Sequence, residues 1–159
     1  MKNRVKFSTY SIVITAAVLI LSAVGIVSLV GEPDRLVVFC VILGAAIVSG
    51  LYYCPVSVEA NQSGIVLNRL ISRARYFPYS EIASVDTCYP SAGGLRLCGS
   101  GGLFGYWGYF SDIMIGTYFG YYGSRSHCFL IRLKSGRQYV IGCTDPAAIV
   151  SYIEPRLAK

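Results

Sequence analysis

Two stretches, Tyr10–Val30 (YSIVITAAVLILSAVGIVSLV) and Leu36–Cys54 (LVVFCVILGAAIVSGLYYC), contain no charged side chain. Each is close to the roughly 20 residues that an α-helix needs to cross about 30 Å of hydrocarbon. In lipid every backbone N–H and C=O requires an internal partner, and a helix supplies all of them within one segment. Between the runs lies Gly31-Glu32-Pro33-Asp34-Arg35, a charged turn whose proline resists one continuous helix. The stretch therefore predicts a helical hairpin in a membrane. The divisions are a basic N-terminus over 1–9, helices over 10–30 and 36–54, a turn over 31–35, and one domain over 55–159.

Composition agrees. A chain of 159 residues that is 54% hydrophobic, with a mean hydropathy of +0.55, is too apolar for an ordinary soluble domain of its size. The segment C-terminal to the hairpin, about 105 residues, suffices for one domain with its own core. Lys2, Arg4 and Lys6 flank the outer end of the first run, whereas Glu32 and Asp34 sit between the two. Basic flanks favour the cytoplasmic side, so both termini are expected there, in a bacterial inner membrane. A rival reading takes the first run as a signal peptide with Ala23-Val24-Gly25 as a weak cleavage site. The run is long for that role, and the second would still span.

No charge lies inside either run, which argues against a transport path. On the second run Ala45 and Ser49, or Ala46 and Gly50, have the four-residue spacing that lets helices approach closely in lipid. The expected use is packing on the first helix; dimerisation or docking to a membrane partner is the alternative. Tyr52 and Tyr53 stand where an interfacial aromatic belt is expected, and Pro55 ends the helix.

From Val56 the period changes to two. Val56–Ala60, Ile65–Leu70, Arg73–Phe77, Ile82–Tyr89 and Ile113–Tyr122 read as strands. Cys128–Lys134 and Arg137–Cys143 read as a hairpin. A two-residue Ser135-Gly136 turn would set Ile131 against Val140, Leu130 against Ile141 and Cys128 against Cys143. A helix from Ala147 to Leu157, capped by Thr144 or Asp145 with Pro146 in its first turn, shows Ile149, Val150, Ile153 and Leu157 on one stripe. The six cysteines (Cys40, Cys54, Cys88, Cys98, Cys128, Cys143) form no C-x-x-C pair, and His127 is the single histidine, so no zinc site is expected. Free thiols suit a cytoplasmic domain.

The least ordinary segment is Gly99-Ser100-Gly101-Gly102-Leu103-Phe104-Gly105-Tyr106-Trp107-Gly108-Tyr109-Phe110. With Arg96, with Phe77-Pro78-Tyr79-Ser80-Glu81-Ile82, and with Gly136 to Ile141 leading into Asp145-Pro146, it resembles a bacterial PH-like (pleckstrin-homology-like) family, in particular members that follow two transmembrane helices. The resemblance spans Pro55 to Leu157. It implies a bent antiparallel β-barrel or sandwich closed by the C-terminal helix, and no enzyme activity. The extra glycines and tyrosines between Gly116 and Gly123 depart from the family pattern.

Read for chemistry alone, Gly99-x-Gly101 lacks the Gly-Lys-Ser/Thr of a phosphate loop, and Phe104 stands where a dinucleotide motif has its third glycine. Ser100, Asp112 and His127 carry no local signature of a hydrolytic triad. The glycines (Gly99, Gly101, Gly102, Gly105, Gly108) suit turns and bulges, with the aromatics filling a small core. The sharper expectation puts Leu103, Phe104, Tyr106 and Trp107 in contact with lipid or a partner, because the domain begins where the bilayer ends. Arg69, Arg73 and Arg75 form a basic cluster, with Arg132, Lys134 and Arg137 near the last hairpin tip. Near an anionic leaflet such side chains contribute about 1 kcal/mol each. A net charge of +4 over 55–159 (ten basic, six acidic residues) is low for nucleic-acid binding. The function expected is a non-catalytic module, without cofactor or small-molecule substrate, that binds a protein partner or the lipid surface at the membrane. The alternative is an accessory subunit of a transporter or enzyme complex; self-association fits either.

Overall fold

In the computed structural model, which describes residues 1–157, two long helices precede a two-sheet β region and a closing helix. Helix α1 covers Thr9–Ser28 and α2 covers Pro33–Tyr53. The Ser8 hydroxyl caps α1 by accepting from the Ser11 N–H (3.2 Å). Helix α2 begins three residues ahead of the uncharged run because Pro33 occupies a first-turn position, where its missing N–H costs nothing. The most apolar windows of α1 and α2 are only 11% and 6% buried. Core helices of a soluble protein would be largely covered; these two are long and apolar enough to cross a membrane.

The basic N-terminus is structured. Strand β1 (Lys2–Arg4) pairs antiparallel with β2 (Pro55–Ala60), which continues to β3 (Gly64–Arg69) and β4 (Arg75–Pro78) in one four-stranded sheet. The Thr144 N–H and hydroxyl both donate to Arg4 O (2.9 Å each), and the Ser8 N–H donates to Gly123 O (2.8 Å). The entry to α1 is thereby bolted to the β region, so the N-terminus and the β domain lie on the same side of the helical hairpin.

The second sheet has the order β5-β9-β10-β8-β7-β6, with β5 Ile82–Cys88, β6 Leu95–Gly102, β7 Gly105–Asp112, β8 Gly116–Tyr122, β9 Cys128–Leu133 and β10 Gln138–Gly142. Strands β8 and β10 pair in parallel, a departure from the all-antiparallel arrangement the resemblance implied. The main core lies between the sheets and helix α3 (Pro146–Leu157), where Ile65, Leu67, Phe129, Ile131, Ile149 and Ile153 are fully buried. Asp145 caps α3 by accepting from the Ala148 N–H (3.0 Å).

Two sequence expectations are corrected. The β9–β10 loop has three residues, Lys134-Ser135-Gly136, with Gly136 at φ 81°, and the Leu133 N–H closes it onto Arg137 O (2.9 Å). The register shifts by one: Ile131 faces Tyr139, Leu130 faces Val140 and Cys128 faces Gly142. Because a one-residue slip turns every side chain over, Cys143 points into the main core while Cys128 points into a second cluster with Tyr118 and Tyr122. The inferred Cys128–Cys143 pairing is lost, and all six cysteines are free. The strand expected over Ile113–Tyr122 starts only at Gly116, because Asp112 accepts the Met114 N–H (2.8 Å) and folds Ile113-Met114-Ile115 into a turn.

The glycine-aromatic segment is itself a hairpin, β6–β7, turning on Leu103 and Phe104. Gly99 and Gly108 are direct partners at φ 119° and 118°. A Cβ at either would fall inside the contact radius of a carbonyl oxygen on the opposite strand, Trp107 O or Cys98 O. The two backbones bend together at a point only glycine can occupy.

Candidate functional site

The bend carries the β6–β7 tip up alongside the long helices. Phe104 lies over Gly50 of α2, where a Cβ would stand 2.5 Å from the ring. Polar atoms of the tip are answered by α1: the Ser11 hydroxyl donates to Gly102 O (2.7 Å), and the Phe104 N–H donates to the Thr15 hydroxyl (3.0 Å). Thr15 has its own hydrogen between Ser11 O (2.8 Å) and Gly102 O (3.3 Å). Leu103 O accepts from the Trp107 indole (3.0 Å) and the Ser100 hydroxyl (3.1 Å). Thr15 lies six residues, about 9 Å, along α1 from its start. Non-helical backbone beside apolar helices is tolerated where its polar groups are paired with protein, as Gly102 O, Leu103 O and the Phe104 N–H are.

Of the four small residues of α2, only Gly50 is buried against this hairpin. Gly50 is covered by Phe104, while Ala45, Ala46 and Ser49 form one wall of a groove whose other wall includes Arg96, Cys98, Leu103 and Trp107. Helix α1 meets α2 near the interhelical turn, where Phe39 covers Gly25. The missing side chain at Gly50 admits the tip of the β-turn against α2.

The candidate contact residues divide by burial. Tyr106 is buried and stacks on Tyr122, with ring centroids 5.0 Å apart and planes 13° from parallel. Trp107, Leu103 and Phe104 are half-buried, and Trp107 stacks on Tyr53 of α2 at 5.0 Å and 15°. Ser100 and Asp112 spend their side-chain bonds elsewhere, Asp112 accepting the Ser91 N–H (2.8 Å) as well as that of Met114. Among the described residues no three His, Cys, Asp or Glu side chains gather as metal ligands.

Beside the end of α2 the chain builds a cup of about 440 Å³, walled by Tyr52, Tyr53, Tyr109, Phe119, Tyr121 and Tyr139 and carrying Arg69, Arg75 and Arg137. Arg75 donates to the hydroxyls of Tyr139 (2.6 Å) and Tyr121 (3.4 Å) and lies 4.5 Å above the Tyr139 ring. Arg69 donates to Arg73 O (3.1 and 2.6 Å) and lies 5.3 Å from the Tyr52 ring. Burial pushes the Tyr121 hydroxyl above its ordinary pKa against the opposing pull of Arg75, so it stays a neutral acceptor for that guanidinium. Arg73, grouped with the other two in the sequence, is exposed and lends the cup only its carbonyl.

The loop after β3 completes this surface. The Ser72 hydroxyl donates to Tyr52 O (2.7 Å) and the Leu70 N–H to Cys54 O (3.1 Å), tying the loop to the end of α2. Leu70 and Ile71 are 52% and 58% exposed, two bare aliphatic side chains at the foot of a long apolar helix. Neither they nor Tyr139 stand out in the sequence, and Arg137 does so only as one of a group at a hairpin tip. The clue for Leu70-Ile71 is an apolar pair running past the strand into Ser-Arg; Arg137 reaches the cup only through the parallel β8–β10 pairing, which has no local signature. No protein-family model matches the chain, and neither a curated protein nor a solved structure shows significant similarity to it.

Proposed function

We propose that this chain is a non-catalytic membrane-anchored module, of the PH-like kind in its β domain, that rests on the inner face of a bacterial cytoplasmic membrane and holds a protein partner there. Helices α1 and α2 span, and both termini and the β domain lie in the cytoplasm with the basic N-terminal flank. The observation that carries this reading is the foot of α2. The exposed Leu70 and Ile71, tied to that helix end and flanked by Arg69 and Arg73, match an interfacial contact in which aliphatic tips enter the headgroup region and arginines meet its surface charge. The bonds of Ser11 and Thr15 to the β6–β7 tip also favour a retained first helix over a cleaved signal peptide.

Trp107 is the chain's single tryptophan and an intrinsic depth gauge. In vesicles of the full-length protein, lipids brominated near the headgroup are expected to quench it more than lipids brominated at the chain ends. Leu70→Ser with Ile71→Ser should loosen this seating and reduce the quenching. Absence of quenching by either lipid overturns the reading.

The accessory-subunit reading draws support from the opposite end. At the β7–β8 turn Ile113 is fully exposed and Met114 is 88% exposed, roughly 25 Å along β7 from the hairpin tip, on a loop that Asp112 holds in shape. An apolar pair held away from the bilayer suits a protein partner. Copurification from mild detergent separates the two readings: a stoichiometric transporter or enzyme favours the subunit, a solitary or self-associating protein favours the module.

A further inference from the structure

The three guanidinium groups of the cup have no carboxylate to answer them. No Asp or Glu lines the cavity, and the ion pairs among the described residues, Arg35–Glu32 and Arg132–Asp86, lie elsewhere. Arg75 and Arg69 donate only to neutral oxygens and lie against aromatic rings, which fixes their orientation while leaving their charge uncompensated. Holding like charges together in a partly desolvated site is costly unless an anion completes it. Guanidinium forks match the oxygens of a phosphate group, donating two parallel hydrogen bonds at once. A cavity of about 440 Å³ is ample for such a group with a short substituent.

Location narrows the source. Tyr52 and Tyr53 in the cup wall are the last residues of α2, and the exposed Leu70 and Ile71 lie on the loop tied to that same helix end. We propose that the Arg69–Arg75–Arg137 cup binds the phosphate group of an anionic phospholipid in the cytoplasmic leaflet, with the Tyr121 and Tyr139 hydroxyls orienting Arg75 and the Arg73 carbonyl orienting Arg69. This rests on the membrane-anchored reading above and assigns one specific lipid site within it. The assignment differs from diffuse attraction of basic residues to a charged surface, because the guanidinium of Arg73, whose carbonyl alone serves the cup, has no part in it.

The full-length protein in nanodiscs of phosphatidylcholine containing some phosphatidic acid provides the test, with retained lipid read by native mass spectrometry at fixed ionic strength. Selective retention of phosphatidic acid is expected, weakened about tenfold by Arg137→Gln, which removes an exposed arm of the cup without touching the core. Arg75→Gln should weaken it at least as much, and Arg73→Gln, which removes the same charge beside the cup, should weaken it far less. Equal losses in Arg73→Gln and Arg137→Gln, or no preference for phosphatidic acid, overturn the proposal. So does a cup that binds inorganic phosphate in phosphatidylcholine nanodiscs yet retains no phosphatidic acid, which would make its ligand a soluble phosphate. Trp107 quenching reads the seating of the domain separately, so the cup can fail while the anchored reading survives.

Discussion

Gly108→Val is expected to cost more than about 4 kcal/mol and to abolish the β6–β7 hairpin. Gly108 sits at φ 118° directly opposite Gly99 at φ 119°, and a Cβ on either overlaps a backbone carbonyl of the other strand. A side-chain clash could be relieved by a rotamer change. A backbone carbonyl can move only if the strand moves, and the left-handed φ adds its own strain for a branched residue. Gly99→Val should behave alike. Gly136 provides the contrast: its φ of 81° is also left-handed, but a Cβ there meets open space, so Gly136→Ala should cost only about 1–2 kcal/mol. Thermal unfolding of the three variants in detergent separates them. Gly108→Val and Gly136→Ala of equal stability would mean that the strands do not approach as described.

The second large effect is expected where α1 receives the hairpin tip. Ser11→Ala with Thr15→Val removes the hydroxyl that donates to Gly102 O and the one that accepts from the Phe104 N–H. Thr15→Val keeps the side chain's volume, so the loss is of bonds rather than packing. Stranding a buried polar group costs about 1–3 kcal/mol. The pair should therefore lose roughly 3 kcal/mol, with some departure from additivity because both hydroxyls serve the same turn. Thr15→Ser should retain most of the stability. The Trp107 emission reports the same event, since its indole N–H is bonded to Leu103 O in the turn. A double variant as stable as the parent, with unchanged emission, would show that α1 does not hold the tip.

Much of this architecture is written in local signals. Uncharged runs of helix length around Pro33, period-two alternation from Val56, and Asp145-Pro146 before an apolar stripe each have one economical backbone solution. Legibility fails where a signal is short or the decision non-local. Ser135-Gly136 reads equally as a two-residue turn or as the end of a three-residue loop with glycine in the left-handed position, and the two differ by one residue of register. Gly99–Phe110 hides its strands because four of its glycines, Gly99, Gly102, Gly105 and Gly108, adopt positive φ; the residues that weaken strand propensity are those that permit the bend. The cup is half legible. Arg69, Arg73 and Arg75 announce themselves by proximity in sequence, but Arg137 and Tyr139 join them through a parallel pairing made across intervening strands. Gly50 of α2 is covered by Phe104 of the hairpin tip, whereas Ala45 and Ala46 stay exposed, a difference that their four-residue spacing does not carry.

The same contacts set how the two ends of the molecule relate. Because β1 is in the first sheet and Ser8 is tied to Gly123, the start of α1 cannot swing free of the β domain. The hairpin tip holds both helices at the ends nearest the β domain, and the loop at Ser72 holds α2 again. The β domain and the near ends of both helices are therefore held in one fixed arrangement.

The most direct measurement is two-sided cysteine labelling of the full-length protein in intact bacterial cells. With the exposed Cys40 and Cys98 replaced by serine, Gly31→Cys in the interhelical turn and Ser135→Cys in the β9–β10 loop are compared using a membrane-impermeant thiol reagent. Both positions are exposed, so access depends on which side of the membrane they occupy. The expected result is labelling of Gly31→Cys from outside, with Ser135→Cys modified only after the membrane is permeabilised. Labelling of Ser135→Cys in intact cells would contradict the cytoplasmic placement of the β domain and, with it, the assignment of its cup to the inner leaflet.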